Sequence, residues 1–328
     1  MLKVGLIGCG GIGAVHAECW LMMSEQVQLV AIADMNTERA SALAKKANAK
    51  VYANADEMLS AETLDLVDIC LPTFLHAEYM CKAMGYAKNV IVEKPVCLTE
   101  EEAQRILETE KETGSTVQVA QVTRFDEPYE FLKKAVDSGV YGKVIAGDFK
   151  RISPRPVWMR GHDDVRVSGS MALDLHIHDV DYIRFLLGEP DDVKTWTVKD
   201  KAGVIQHIWT GYQFGDAVVT AEGSWDYPTN LTFSCTFRVR LEKAALVLDE
   251  QGTLTVYPEE GEKFVPQLGE TLEMDLGINV SNIGVYLKEL KRFVTAVEQG
   301  TGAVVSLADA VASFRLAQKG MKLAFSDI

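Results

Sequence analysis

The stretch GLIGCGGIGAVH, residues 5–16, decides the fold. Gly8, Gly10 and Gly13 follow directly on the apolar run Leu2 to Ile7, and a segment suited to a helix follows them. Glycine at the first position permits a tight turn. At the second it lets the main chain approach a pyrophosphate, and at the third it lets the helix pack closely on the strand. The trio alone also fits a Gly-rich bend that binds nothing. Its context favours the cradle. Asp34 ends the next strand, VQLVAIAD, about 20 residues beyond Gly13, where a carboxylate accepts hydrogen bonds from ribose hydroxyls. Such a carboxylate repels a 2′-phosphate, and Met35 and Asn36 follow it rather than an arginine. The expected cofactor is therefore NAD, with NADP disfavoured. Gly8, Gly10, Gly11, Ile12, Gly13 and Asp34 are the expected cradle residues.

Outward from this stretch, short apolar strands alternate with helices as far as residue 122. LVDICLP (66–72), NVIVEKP (89–95) and TVQVAQV (116–122) are the later strands. An acidic helix over 99–113 carries Thr99 and Glu102 in capping-box spacing. This alternation predicts a doubly wound parallel sheet covered on both faces. The pattern then changes. Pro128 to Ser138 and Ala172 to Leu187 suit helices, and six strand-like segments with tight glycine turns fill 191–259. Two helical stretches, Tyr286 to Gln299 and Leu307 to Phe325, close the chain. The expectation is an α/β dinucleotide-binding domain over 1–122. An α+β domain with an open, mostly antiparallel sheet follows over 123–328 and serves substrate binding and oligomerisation.

Composition narrows the function. The chain has 328 residues, 48% hydrophobic and 24% charged, enough for sizeable cores. A formal charge of -14 repels phosphate backbones and argues against a nucleic-acid partner. No apolar run approaches the ~18 residues of a membrane span, and no secretory leader pattern is present, so a cytoplasmic enzyme is expected. The six cysteines show no CxxC spacing, which points to neither a disulfide framework nor a zinc site.

Two further motifs carry chemistry. LPTFLHAE (71–78) and EKP (93–95) end the fourth and fifth strands, at the edge of the sheet where ligands bind. Pro95 restricts the backbone of Lys94 and so fixes its direction. The bland alternative for Lys94 is a surface lysine. In GSMALDLHIHDVD (169–181), a helix would set Asp174 and His178 on one face, a carboxylate beside an imidazole that can accept a proton. A brace at a domain interface is the alternative, and a metal site there is disfavoured because no other His or Cys pair has ligand spacing.

Taken in order, GLIGCGGIGAVH, Asp34, PTFLH, EKP and the DxxxH of Asp174 to His178 resemble the Gfo/Idh/MocA family of oxidoreductases along essentially the whole chain. The resemblance implies a nicotinamide cofactor in the first domain and a pocket between that domain and the second domain's sheet. It implies catalytic roles for Lys94, Asp174 and His178, places Thr73, His76 and Glu93 along the nicotinamide half of the cofactor, and adds Leu71, Pro72 and Lys94 to the cofactor-binding residues. Hydride transfer between nicotinamide and a secondary alcohol or ketone of a sugar, cyclitol or related polyol is the implied reaction. A non-catalytic NAD-binding sensor, or a reductase of a dihydrodiol, imine or tetrapyrrole, is the alternative. The intact lysine and DxxxH weigh against the sensor. Arg124, Arg155 and Trp158, with Arg160 and His162, either line the pocket or lie on the surface. The resemblance and the apolar residues on both strand faces also imply a homodimer or homotetramer formed through the C-terminal sheet.

Overall fold

The computed structural model describes residues 1–155, 168–269, 272 and 282–324. The chain divides into two compact units, Met1–Val122 with Thr271–Val311, and Thr123–Glu270 with Ala312–Ile328.

In the first unit, six strands lie parallel in the order β3-β2-β1-β4-β5-β6. They are β1 (Leu2–Ile7), β2 (Val27–Ala33), β3 (Lys50–Tyr52), β4 (Leu66–Ile69), β5 (Asn89–Glu93) and β6 (Thr116–Ala120). The helices between them are α1 (Gly11–Met22), α2 (Thr37–Ala47), α3 (Ala55–Ala61), α4 (His76–Met84) and α5 (Glu100–Thr113). The strand order reverses between β1 and β4, and that reversal opens a crevice at the carboxyl ends of the strands. The α5 capping box forms as its spacing predicts: Thr99 Oγ1 accepts the Glu102 N–H at 3.1 Å, and the Glu102 carboxylate accepts the Thr99 N–H at 3.3 Å.

Late in the sequence the chain returns to this unit. Helix α9 (Ile283–Gln299) packs on α1. The Val119 N–H donates to Val305 O at 3.1 Å and the Val304 N–H to Gln118 Oε1 at 2.7 Å. These contacts cover the β6 edge, whose main-chain groups would otherwise stand open. A single cut at residue 122 would put these segments with the second unit.

The second unit contains α6 (Glu127–Ser138), β7 (Val144–Pro154), α7 (Ser170–Asp174) and α8 (Ile177–Leu187). Six strands follow: β8 (Asp192–Lys199), β9 (Ile205–Phe214), β10 (Ala217–Tyr227), β11 (Ser234–Leu241), β12 (Ala244–Leu248) and β13 (Leu254–Pro258). The last helix, α10 (Leu307–Leu323), begins in the first unit and ends in the second. The sheet order is β13-β12-β11-β7-β10-β9-β8, and only the β7–β10 pair among the described strands is parallel. The mostly antiparallel sheet is as expected, but its central strand β7 is an addition. Charged residues Asp148, Lys150 and Arg151 interrupt its apolar pattern. Arg151 is nonetheless buried, because it pairs with Asp179 at 3.1 Å. Phe149 beside it joins Tyr129, Tyr182 and Phe237 in an aromatic core. On the opposite face Trp196 and Val198 are exposed, and His207 stacks on Trp209 at 3.9 Å.

Candidate active site

Three glycines shape the turn after β1, for different reasons. Gly8 has φ +97°, and a Cβ there would meet Cys70 O at 2.4 Å. A Cβ on Gly13 would meet Gly8 O at 2.1 Å. The fold itself therefore requires these two. A Cβ on Gly10 meets nothing within 4 Å. That open position stands at the N-cap of α1, followed by Gly11 and Ile12 in the first turn, where backbone N–H groups and the helix dipole favour an anion. Asp34 lies just beyond β2 with its carboxylate fixed by main chain: Oδ2 accepts the Cys9 N–H at 2.6 Å and Oδ1 the Asn36 N–H at 2.7 Å. Turn, helix start and pinned carboxylate together fit an NAD dinucleotide. Cys9 in the turn is inert, because burial pushes its thiol up to about 12.

The loop after β4 presents Leu71 and exposed Pro72, then buried Thr73 in a 3-10 turn. His76 opens α4 with its ring only 1% exposed. Its Nε2 lies 2.7 Å from Leu71 O and its Nδ1 2.8 Å from Pro95 O. The ring thus sits between the segment after β4 and the segment after β5, and when neutral it donates to one of the two carbonyls. Burial pushes its pKa down, against the pull of the two carbonyls. Glu93 is the last residue of β5 and is buried, while Lys94 is half-buried and precedes Pro95 through a cis peptide. Glu93 Oε2 accepts the Lys94 N–H at 3.0 Å.

Beneath these loop ends lies a cluster that sequence reasoning did not single out. The His16 ring on α1 is fully buried, with Nδ1 at 3.0 and 3.2 Å from the two Asp68 carboxylate oxygens and Nε2 at 3.2 Å from Glu93 Oε1. Trp20 Nε1 donates to Asp68 Oδ2 at 2.7 Å. Burial penalises the charged ring, but Cys70 and Asp68 beside it more than offset this, and His16 titrates well above its ordinary range. Burial also pushes the Cys70 thiol up, which keeps it neutral, so the Asp68 carboxylate is the anion that counts. His16, Asp68 and Cys70 offer donor atoms within 4.8 Å of one another. A protonated thiol is a poor metal ligand, and the ring and carboxylate already satisfy each other. One sequence signal did point here: Asp68 is a charged residue within a strand that is otherwise apolar and buried.

In the second unit, the expected single helix over Ala172 to Leu187 is interrupted. Asp174 ends α7 and His178 is the second residue of α8, with a turn at Leu175 and His176 between them. The His176 N–H reaches back to Met171 O at 3.0 Å, a wider step than a regular helix makes. The i,i+4 helical face expected for Asp174 and His178 is therefore replaced by two helix ends. Both residues are partly exposed. His178 Nδ1 lies 3.3 Å from Thr123 Oγ1, a partner the sequence did not suggest. His176, two residues earlier, is buried against Thr210 Oγ1 at 3.0 Å. Burial and then Arg151 drive its pKa down to about 3, so it stays neutral. Arg124 is buried, its guanidinium committed to Asp181 at 2.7 and 2.6 Å and stacked over Phe185. It is therefore not a surface group. Arg155 is exposed, and Trp158, Arg160 and His162 lie outside the described residues.

The family described as "Oxidoreductase family, NAD-binding Rossmann fold" matches residues 2–121, and the GFO/IDH/MocA C-terminal domain matches 129–247. The chain belongs to the Gfo/Idh/MocA oxidoreductase family, and its first unit is an NAD-binding Rossmann fold. A myo-inositol 2-dehydrogenase of Thermotoga maritima is 28% identical over 318 residues, 93% of this chain and 91% of that protein. A scyllo-inositol 2-dehydrogenase (NAD(+)) of Bacillus subtilis is 32% identical over 189 residues, 57% of this chain and 54% of that protein. The crystal structure of a probable dehydrogenase from Thermotoga maritima superposes with a TM-score of 0.82 at 26% identity, covering 100% of this chain and 98% of that one.

Proposed function

We propose that this chain is an NAD-dependent dehydrogenase acting on a secondary alcohol of a sugar or cyclitol. The observation that carries the reading is Lys94, at the carboxyl end of β5, on a main chain tied to Glu93 and beside a dinucleotide cradle whose Gly10 the fold does not itself require. The names of the inositol dehydrogenase relatives supply the substrate class.

Bound nicotinamide supplies the hydride acceptor or donor. The chain supplies the rest. Gly8, whose own N–H is held by Ala33 O at 2.8 Å, shapes the turn, Gly10, Gly11, Ile12 and Gly13 offer backbone N–H groups to the pyrophosphate, and Asp34 holds the ribose hydroxyls and repels a 2′-phosphate. Leu71, Pro72, Thr73 and Glu93 shape the nicotinamide end, with His76 set between their loops. Lys94 donates a hydrogen bond to the reacting oxygen and stabilises its developing charge. His178 takes the hydroxyl proton as general base, with Asp174 beside it in sequence and Thr123 on its Nδ1. Arg155 and Trp158 belong to the segment that selects the substrate. The enzyme works in the cytoplasm as a homodimer or homotetramer, and the exposed Trp196, Val198 and Trp209 on the open sheet face support a second copy docking there.

The test is NADH formation at 340 nm, with NAD and with NADP, against inositols, aldoses, sugar acids and amino sugars, in wild type and Lys94→Ala. The expected result is activity with a polyol class, a preference for NAD, and a loss of about 10²-fold or more in the variant. Wild-type turnover in Lys94→Ala overturns the assignment, and better efficiency with NADP overturns the role of Asp34.

A further inference from the structure

We infer that His16 is a positioning residue for Lys94: set between Asp68 and Glu93, it fixes the Glu93 carboxylate that in turn holds the Lys94 main chain. The inference rests on the role proposed above for Lys94.

The geometry defines the state of the ring. Nδ1 faces Asp68 at 3.0 Å and Nε2 faces Glu93 Oε1 at 3.2 Å. A neutral imidazole has one N–H and one lone pair, and the lone pair would then face a carboxylate. The imidazolium, with an N–H on each side, suits a carboxylate at each of its two nitrogens. Among the described residues neither His16 Nε2 nor Glu93 Oε1 makes a hydrogen bond, and the contact between them is an ion pair at 3.2 Å. At the opposite end Asp68 is held by Trp20 Nε1 at 2.7 Å. The remaining Glu93 oxygen accepts the Lys94 N–H at 3.0 Å.

The contacts thus run from Trp20 through Asp68, His16 and Glu93 to the backbone of Lys94. They join α1, β4 and β5, the three elements whose ends form the crevice. Burying three ionised groups is costly, and an apolar trio of similar volume would serve packing alone as well or better. What the charged trio adds is direction. It anchors Glu93, and through Glu93 it anchors the residue whose side chain must meet the reacting oxygen. A displacement of about 1 Å in such a group costs on the order of 10²-fold in rate.

Two measurements test this. In wild-type enzyme labelled with 15N-histidine, one of the six histidine rings should keep both nitrogens protonated at a pH where an ordinary imidazole is neutral, and His16→Gln should remove that signal. A spectrum in which every ring is neutral at that pH overturns the inference. In parallel, His16→Gln, Glu93→Gln and the double variant are compared for kcat and, by fluorescence titration, for NADH affinity. Each single change should lower kcat by about 10-fold or more, and His16→Gln should leave NADH Kd within about 3-fold. The double variant should be no slower than the slower single, because both changes break the same link. Wild-type kcat in His16→Gln, or additive losses in the double variant, overturn the inference. Should His16→Gln not fold, wild-type kcat in Glu93→Gln does so instead. Lys94→Ala is the control: full activity there removes the role of Lys94 and the inference with it. An inactive Lys94→Ala beside a fully active His16→Gln removes the inference alone.

Discussion

In the second unit Arg124 meets Asp181, and Arg151 meets Asp179, as forked guanidinium–carboxylate pairs. In the first unit one imidazole stands between Asp68 and Glu93. Both arrangements are buried, yet they differ in where the carboxylates spend their remaining capacity. Asp181 accepts from Ser313 on α10 at 2.8 Å, and Arg151 also reaches the Tyr129 hydroxyl at 3.4 Å. Those second contacts lead further into the core. Glu93 instead accepts from the main chain of Lys94 at the carboxyl edge of the sheet. A buried charge whose network ends in core side chains holds the fold, whereas on the role proposed for Lys94 one that ends on its backbone aims that residue.

The contrast is open to attack by experiment. The largest effect expected is on stability. Asp181→Ala removes the carboxylate from a buried guanidinium and should cost about 3–5 kcal/mol in urea unfolding, with NADH affinity unchanged. A loss near that of an exposed ion pair, about 1 kcal/mol or less, would remove the second cluster from the fold-holding class.

The next effect concerns acid. His176 packs under the same sheet with a folded-state pKa of about 3, below its ordinary 6.5. Between those values the unfolded chain binds the extra proton, so stability falls as pH falls. From pH 6.5 to 5 the loss should be about 2 kcal/mol, and His176→Gln should flatten that slope. Equal slopes in the two proteins would show that another group drives acid unfolding.

The smallest effect separates ligand from fold within one turn. Gly10→Ala meets nothing within 4 Å, so Tm should hold while NAD affinity falls about tenfold, or ~1.4 kcal/mol. A lowered Tm with unchanged affinity would assign Gly10 to the fold, alongside Gly8 and Gly13.

Much of the first unit was legible because its signals are local. The Gly8–Gly13 turn, the carboxylate after β2 and the Thr99–Glu102 capping box each show as a short run of residue types, even though Cys70 and Cys9, distant in sequence from Gly8 and Asp34, complete the first two. The central strand β7 was not legible, because its alternation is broken by Arg151, a charge that is buried only where Asp179 meets it. The break between α7 and α8 was hidden as well, since no proline marks it and Asp174 to His178 keep helical spacing. The pairing of Arg124 was hidden because Asp181 lies 57 positions away.

The sequence by itself determined the Rossmann half, the change to a mostly antiparallel sheet, the NAD cradle and the residues that carry the family likeness. Each follows from periodicity, turn chemistry or a motif a few residues long. The tertiary structure alone decided the company these residues keep. Parallel crossovers carry His16, Asp68 and Glu93 from distant positions to one end of the sheet, and the late return of the chain covers the β6 edge. Ionic contacts of that kind depend on how strands are ordered and how deeply their ends are buried. Neither property is written in the spacing of residues along the chain.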